Sequence, residues 1–127
     1  DLDPEWEAGW LGLGRCYLET SCFRRAERAF QHATMIRPSV EAKLRLATAY
    51  LFQGKVPQAR KLARDLAQSD APSSSLFRLQ GDIAFMERDP RTAIQFYQRS
   101  LQDDPNQPDG RERLRELGRL SRSGQFR

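Results

Sequence analysis

The sequence predicts an all-α fold built from repeated helix–turn–helix pairs, and three observations carry the prediction. Prolines mark a period, with Pro4, Pro38, Pro72 and Pro105 spaced 34, 34 and 33 residues apart, the length of one helix pair with its connections. Trp10, Leu13, Gly14 and Tyr17 fall at i, i+3, i+4 and i+7, a stripe that a helix places on one face and that must be buried. Ala26, Phe30 and Ala33 then line a second helix after the turn Glu19-Thr20-Ser21-Cys22, and related patterns return twice downstream in the same register.

Taken in order, Asp1-Leu2-Asp3-Pro4 matches Ile36-Arg37-Pro38 and Gln102-Asp103-Asp104-Pro105. Residues 1–6 therefore read as the end of a preceding repeat, with Asp3 as a cap, Pro4 in the first turn and Trp6 turned toward the missing neighbour. Residues 7–40 form the first pair. Gly14 is expected to lack a side chain because the second helix crosses close by, with Ala26 as the small residue that meets it. Residues 41–73 form a degenerate second pair: Leu46, Ala47 and Tyr50 face the core, Gly54 marks the turn, and Ala59, Ala63 and Leu66 line the second helix. Without a Trp or a Phe at the signature positions, its core should be thinner. Pro57 lies in the first turn, where a proline is tolerated, and Ser69 to Ser75 is the loosest connection.

In residues 74–107 the corresponding positions are Phe77, Gly81 and Ala84, then Ala93, Tyr97 and Leu101, with Asp89-Pro90 as cap and first-turn proline. Residues 108–121 give one more helix, with Leu114, Leu117 and Leu120 amid Arg and Glu. One apolar edge and a charged outer face suit a helix that solvates the end of a stack. Residues 122–127 should fray.

Trp10-x-x-Leu13-Gly14-x-x-Tyr17, Ala26-x-x-x-Phe30-x-x-Ala33 and Pro38 together resemble the tetratricopeptide repeat (TPR) family at every signature position of the first pair. Gln80 departs from the pattern, standing where the family has Leu. The resemblance implies a right-handed α-solenoid of three TPR units plus a C-terminal capping helix, a segment of a larger protein. Among basic residues Arg outnumbers Lys 18 to 3, which points to a GC-rich bacterial gene.

Composition narrows the function classes. The formal net charge is +4, and residues 111–127, with six Arg and two Glu, carry all of it. The remaining 110 residues are neutral, so a globally basic nucleic-acid binder is disfavoured. No apolar run approaches the roughly 20 residues of a membrane span, so this segment is not expected to contact a membrane directly. Cys16 and Cys22 lie six residues apart, which along a helix is about 9 Å of rise, beyond bridging distance. Two unpaired thiols favour a reducing, cytoplasmic compartment.

No catalytic constellation is present. His32 is the only histidine and is expected to face solvent, so paired acid–base histidines and a His-rich metal site are excluded. The stretch Gly9-Trp10-Leu11-Gly12-Leu13-Gly14 lacks both the Gly-Lys-Ser/Thr ending and the preceding strand of a phosphate loop. The chain is not expected to be an enzyme or to need a cofactor, a metal or a small-molecule substrate.

In the family, the first helices of successive repeats line a concave groove that receives an extended peptide or a helix. Here that face reads Leu11, Arg15 and Leu18, then Leu44, Arg45, Thr48, Leu51 and Phe52, then Arg78, Asp82, Phe85 and Met86. It is mainly apolar with Arg15, Arg45 and Arg78 as donors. The Lys/Asn carboxylate clamp known from the family is not reproduced, since Leu11, Arg15, Arg45, Ser75 and Leu79 occupy its places. The resemblance thus implies a protein–protein interaction scaffold that binds a peptide or amphipathic helix within a larger assembly. Leu18, Leu51 and Phe85 equally suit packing between repeats. The alternative is an electrostatic attachment module that lays the Arg-rich C-terminal helix on an anionic surface, nucleic acid or acidic lipid. Self-association through the face around Trp6 is a third expectation.

Overall fold

The computed structural model describes residues 6–69, 74–106 and 108–123, the last segment with side chains over residues 111–119. The expectations for Asp3, Pro4, Pro72 and the side chain of Leu120 lie outside the described residues. Seven helices and no strand are found among the described residues: α1 (Glu7–Glu19), α2 (Phe23–Ile36), α3 (Val40–Phe52), α4 (Val56–Gln68), α5 (Ser74–Met86), α6 (Pro90–Asp103) and α7 (Pro108–Ser123). The chain divides into two compact units, residues 1–66 and 67–127.

In the first unit α2 packs on both α1 and α3. Leu11, Ala26, Phe30, Ala33, Ala42, Leu46 and Ala49 form its core, with Trp10, Tyr17, Leu18, Tyr50 and Leu62 packed around them. The close crossing at Gly14 is met by Phe30 rather than by Ala26. A Cβ built on Gly14 would lie 2.3 Å from Phe30 Cε1, so the glycine makes room for an aromatic ring. The buried surface of α1 is also broader than its i, i+3, i+4, i+7 stripe. Leu11 and Gly14 are buried while Trp10, Leu13 and Tyr17 are half-buried, because α1 touches α3 as well as α2. In α3 and α4 alanines stand on both sides of this crossing: Ala47 and Ala63 are buried at the register positions of Gly14 and Phe30.

In the second unit α6 packs on both α5 and α7. Ala84, Ala93, Tyr97 and Leu117 form the core, and Ile94 and Leu114 pack against it. Gly81 repeats the crossing of Gly14, with a built Cβ 2.6 Å from Tyr97 Cε1. The buried Ser100 hydroxyl donates to the Ser74 carbonyl at 2.7 Å, tying the end of α6 to the start of α5. Helix α7 runs to Ser123, two residues past its expected end.

The turns within the pairs share one geometry. Ser21, Gly54 and Arg88 each adopt a left-handed backbone, with φ of 61°, 76° and 60°. The next residue donates back over the turn, Cys22 N–H to Tyr17 O at 2.8 Å, Lys55 to Tyr50 at 2.9 Å and Asp89 to Ala84 at 2.9 Å. This is the Schellman closure, which satisfies carbonyls at a helix C-terminus. The starts of α3 and α6 are fixed by side chains: Ser39 Oγ accepts from Ala42 N–H at 3.1 Å, and Asp89 accepts from both the backbone and the hydroxyl of Thr92, with Pro90 in the first turn.

Candidate functional site

The predicted face divides between the units. On α1 and α3 it brings together Leu11, Arg15 and Leu18 with Leu44, Arg45, Thr48, Leu51 and Phe52, since these helices touch. Leu11 and Leu51 are each only 8% exposed, and Leu18 packs on the core. They form the floor of the face, leaving Arg15 and Phe52 exposed and Leu44, Arg45 and Thr48 half-buried. The Thr48 hydroxyl is turned back to the Leu44 carbonyl at 2.9 Å. Arg45 lies 4.0 Å from Glu41 one turn earlier, an exposed pairing that costs little to exchange for another carboxylate.

On α5 Arg78 and Asp82 are half-buried, whereas Phe85 and Met86 at its C-terminal end are exposed. Asp82 accepts from the Tyr97 hydroxyl at 2.5 Å and from the Arg113 guanidinium. One carboxylate thereby ties α5, α6 and α7 together, with Arg113 also 5.9 Å over the Tyr97 ring. Burial holds the Asp82 carboxyl above the usual carboxylate range, outweighing the Tyr97 bond and the charges of Arg113 and Arg78. Burial and the adjacent carboxylate likewise push the Tyr97 hydroxyl well above an ordinary phenol.

A second polar node lies behind the α3 face. Glu27 on α2 accepts from Lys55 Nζ at 2.8 Å and Gln53 Nε2 at 2.7 Å. Burial pushes its carboxyl up, but these two bonds with the charges of Lys55 and Arg24 hold it below the usual range. Beside it, Phe52 stacks on Phe23 with ring centroids 4.9 Å apart and planes 8° from parallel.

Sequence patterning did not single out Phe23, Glu27 or Arg113. One signal for the Asp82 node was present: Tyr97 occupies the register position of Phe30, and a phenol hydroxyl carried into a core needs a partner. His32 is exposed as expected, although Trp10 covers one ring face with a centroid separation of 4.5 Å. Cys16 and Cys22 are unpaired thiols. Among the described residues no helix is long and apolar enough to cross a membrane.

Repeated helix pairs with a glycine–aromatic crossing define a class, the helical-repeat binding modules. Within it, residues 44–108 match the tetratricopeptide repeat family model, and the chain belongs to that family. It is 31% identical over 104 residues to the cell division cycle protein 27 homolog of Rattus norvegicus and to that of Homo sapiens, covering 80% of this chain. The match spans only 13% of the length of those relatives. Among solved structures, the first TPR domain of human RPAP3 superposes with a TM-score of 0.80 at 17% identity, covering 95% of this chain and 96% of that one. YrrB, described as a TPR protein with an unusual peptide-binding site, gives a TM-score of 0.67 at 16% identity, covering 95% and 62%. The fold is that of the TPR α-solenoids.

Proposed function

We propose that this segment is a protein–protein interaction scaffold, part of a larger assembly, that holds a peptide or amphipathic helix on the α1 and α3 face of its first unit, with a separate face on α5 in its second. One observation carries the reading: Phe52, Phe85 and Met86 remain 57%, 38% and 45% exposed at the ends of α3 and α5, on helices whose other large apolar residues are mostly covered. Exposed apolar groups rimmed by polar ones mark interaction surfaces, and Met and Phe make adaptable pockets. Leu11, Leu18, Leu44 and Leu51 supply the floor. In the first unit Arg15 and Arg45 supply donors for an acidic flank beside Thr48; in the second, Arg78 and Asp82 border the exposed Phe85 and Met86. The peptide-binding site ascribed to YrrB supports this role, in which the chain binds and does no chemistry. The unpaired thiols favour a reducing, cytoplasmic setting.

The test is charge reversal on the first unit. Arg15→Glu with Arg45→Glu should weaken capture of a protein partner without lowering the melting temperature, and unchanged capture would sink the reading. The electrostatic alternative has less behind it: Arg113 is turned onto Asp82, Arg119 lies 3.4 Å from Glu116, and Arg111 donates to the Pro105 carbonyl at 2.7 Å. Phosphate binding through α7 would fall steeply with salt, whereas apolar binding on α1 and α3 would not. Trp6, 53% exposed, keeps self-association through its face as a further outcome, read by light scattering.

A further inference from the structure

The turn edge of the first unit carries a surface that shares Phe52 with the α3 face and adds Phe23 and the start of α2. Phe52 closes α3 and Phe23 opens α2, so their stack sits where the helix ends meet. Phe23 covers one face of Phe52, yet Phe52 remains more exposed than most apolar residues of the chain, at 57%. A flat ring held from one side and open on the other offers a planar surface for a third ring.

The charge around this shelf is positive. Helix α2 begins without a side-chain cap, and no acidic residue stands in its first turn. Its N-terminal backbone N–H groups and helix dipole therefore favour an anion. Arg24 and Arg28 are exposed on the same helix, Arg25 is placed over the Tyr17 ring of α1, and Lys55 follows Phe52 in the adjoining turn. Lys55 and Glu27 neutralise each other as an ion pair, which leaves Arg24 and Arg28 against Glu19 in the neighbouring chain.

We infer that the Phe23–Phe52 edge is a docking surface for a protein segment that presents an aromatic side chain flanked by carboxylates. The ring would extend the stack, and the carboxylates would meet the α2 N-terminus and Arg24. The inference rests on the chain being a protein-binding module, but it names a different edge and a specific partner chemistry.

The experiment is an amide NMR titration of the whole chain with an end-blocked peptide of Glu and Asp around one Trp. Two controls replace that Trp by Ala or the acidic residues by Lys. Shifts should cluster at residues 22–25 and 50–55 with the acidic Trp peptide and vanish with both controls. Phe52→Ala should weaken binding about threefold to tenfold, the span of one aromatic pair. Arg24→Glu, a surface change that leaves the fold intact, should weaken it as well. Arg15→Glu with Arg45→Glu should leave it unchanged, which separates this inference from the groove reading. Shifts confined to residues 11–18 and 44–48, no binding at millimolar peptide, or peptide-independent shifts that grow with protein concentration would each overturn it, the last by showing a second copy of the chain as occupant.

Discussion

The α1/α2 and α5/α6 hairpins close in the same way and differ by one oxygen. Gly14 faces Phe30 in the first, and Gly81 faces Tyr97 in the second, each residue 67 positions from its counterpart. Phe30 ends in a ring edge. Tyr97 ends in a hydroxyl that reaches Asp82, and Asp82 in turn holds Arg113 of α7. The residue equivalent to Asp82 in the first hairpin is Arg15, which stays exposed. The difference teaches how one crossing serves two ends. Where Arg15 stands the side chain stays exposed, and where a carboxylate takes the position the chain's own next helix is tied in.

The shared part of the comparison breaks at the glycines. Gly14→Ala and Gly81→Ala each push a methyl into a ring and should destabilise by about 2–3 kcal/mol, the upper part of the overpacking range. That cost exceeds the roughly 1 kcal/mol that alanine gains over glycine in a helix. Gly12→Ala is the internal control, since nothing lies within 4 Å of its Cβ position. It should stabilise by up to about 1 kcal/mol. Urea unfolding of the three variants measures this directly, and equal losses at Gly12 and Gly14 would show that close crossing is not the reason for either glycine.

The differing oxygen is tested by exchanging it. Tyr97→Phe makes the second hairpin resemble the first, and it should lose about 1–2 kcal/mol with the bond to Asp82. Amide exchange in α7 should speed up with it, because Asp82 would then hold Arg113 without its second partner. Phe30→Tyr should destabilise too, since it adds a hydroxyl opposite Arg15 where no carboxylate stands. A Tyr97→Phe variant with full stability and a protected α7 would reduce the polar node to a bystander.

The fold could be read from the sequence because its information is local and periodic. The 34-residue recurrence and the glycines at the crossings repeat at fixed spacing, and Asp89-Pro90 marks a helix start within a single turn. The candidate site was less legible, for a physical reason. Leu11 and Leu51 lie on the expected face, yet they are buried because α1 and α3 touch, and spacing along one helix does not reveal the next helix. Phe23 was invisible for the same reason, since it matters only through Phe52 at the end of another helix. Arg113 looked like part of a solvated basic helix until its distance from Asp82, 31 residues earlier, became a contact.

The turns sharpen the comparison at smaller cost. All three within-pair turns use one left-handed residue, but only the middle one, Gly54, is a glycine. Ser21→Gly and Arg88→Gly should therefore stabilise by about 1 kcal/mol each by relieving the Cβ contact of that conformation. Gly54→Ala should destabilise by a similar amount. Equal gains at Ser21 and Arg88 would show that the two hairpins carry the same turn strain. A gain at one alone would show that a side-chain contact offsets it at the other.

The smallest effects are those of pH, and they should run in opposite directions in the two units. Glu27 holds its proton less tightly in the folded chain than an ordinary carboxyl does. Its contribution is present above the usual carboxylate range and is lost as pH falls through it. A partly screened pair such as Glu27 with Lys55 is worth about 1 kcal/mol or less. Asp82 is held above the usual range, so the folded chain binds its proton more tightly. Its contribution is fully present below that range and is lost as pH rises through the raised value. The stability gap between the parent chain and Glu27→Gln should shrink on acidification, while the gap to Asp82→Asn should widen. Denaturant unfolding from about pH 3 to 7, spanning both carboxyl titrations, reads the two slopes. Parallel slopes would mean that the hydrogen bonds to Asp82 outweigh its burial, and that the two units answer acid alike.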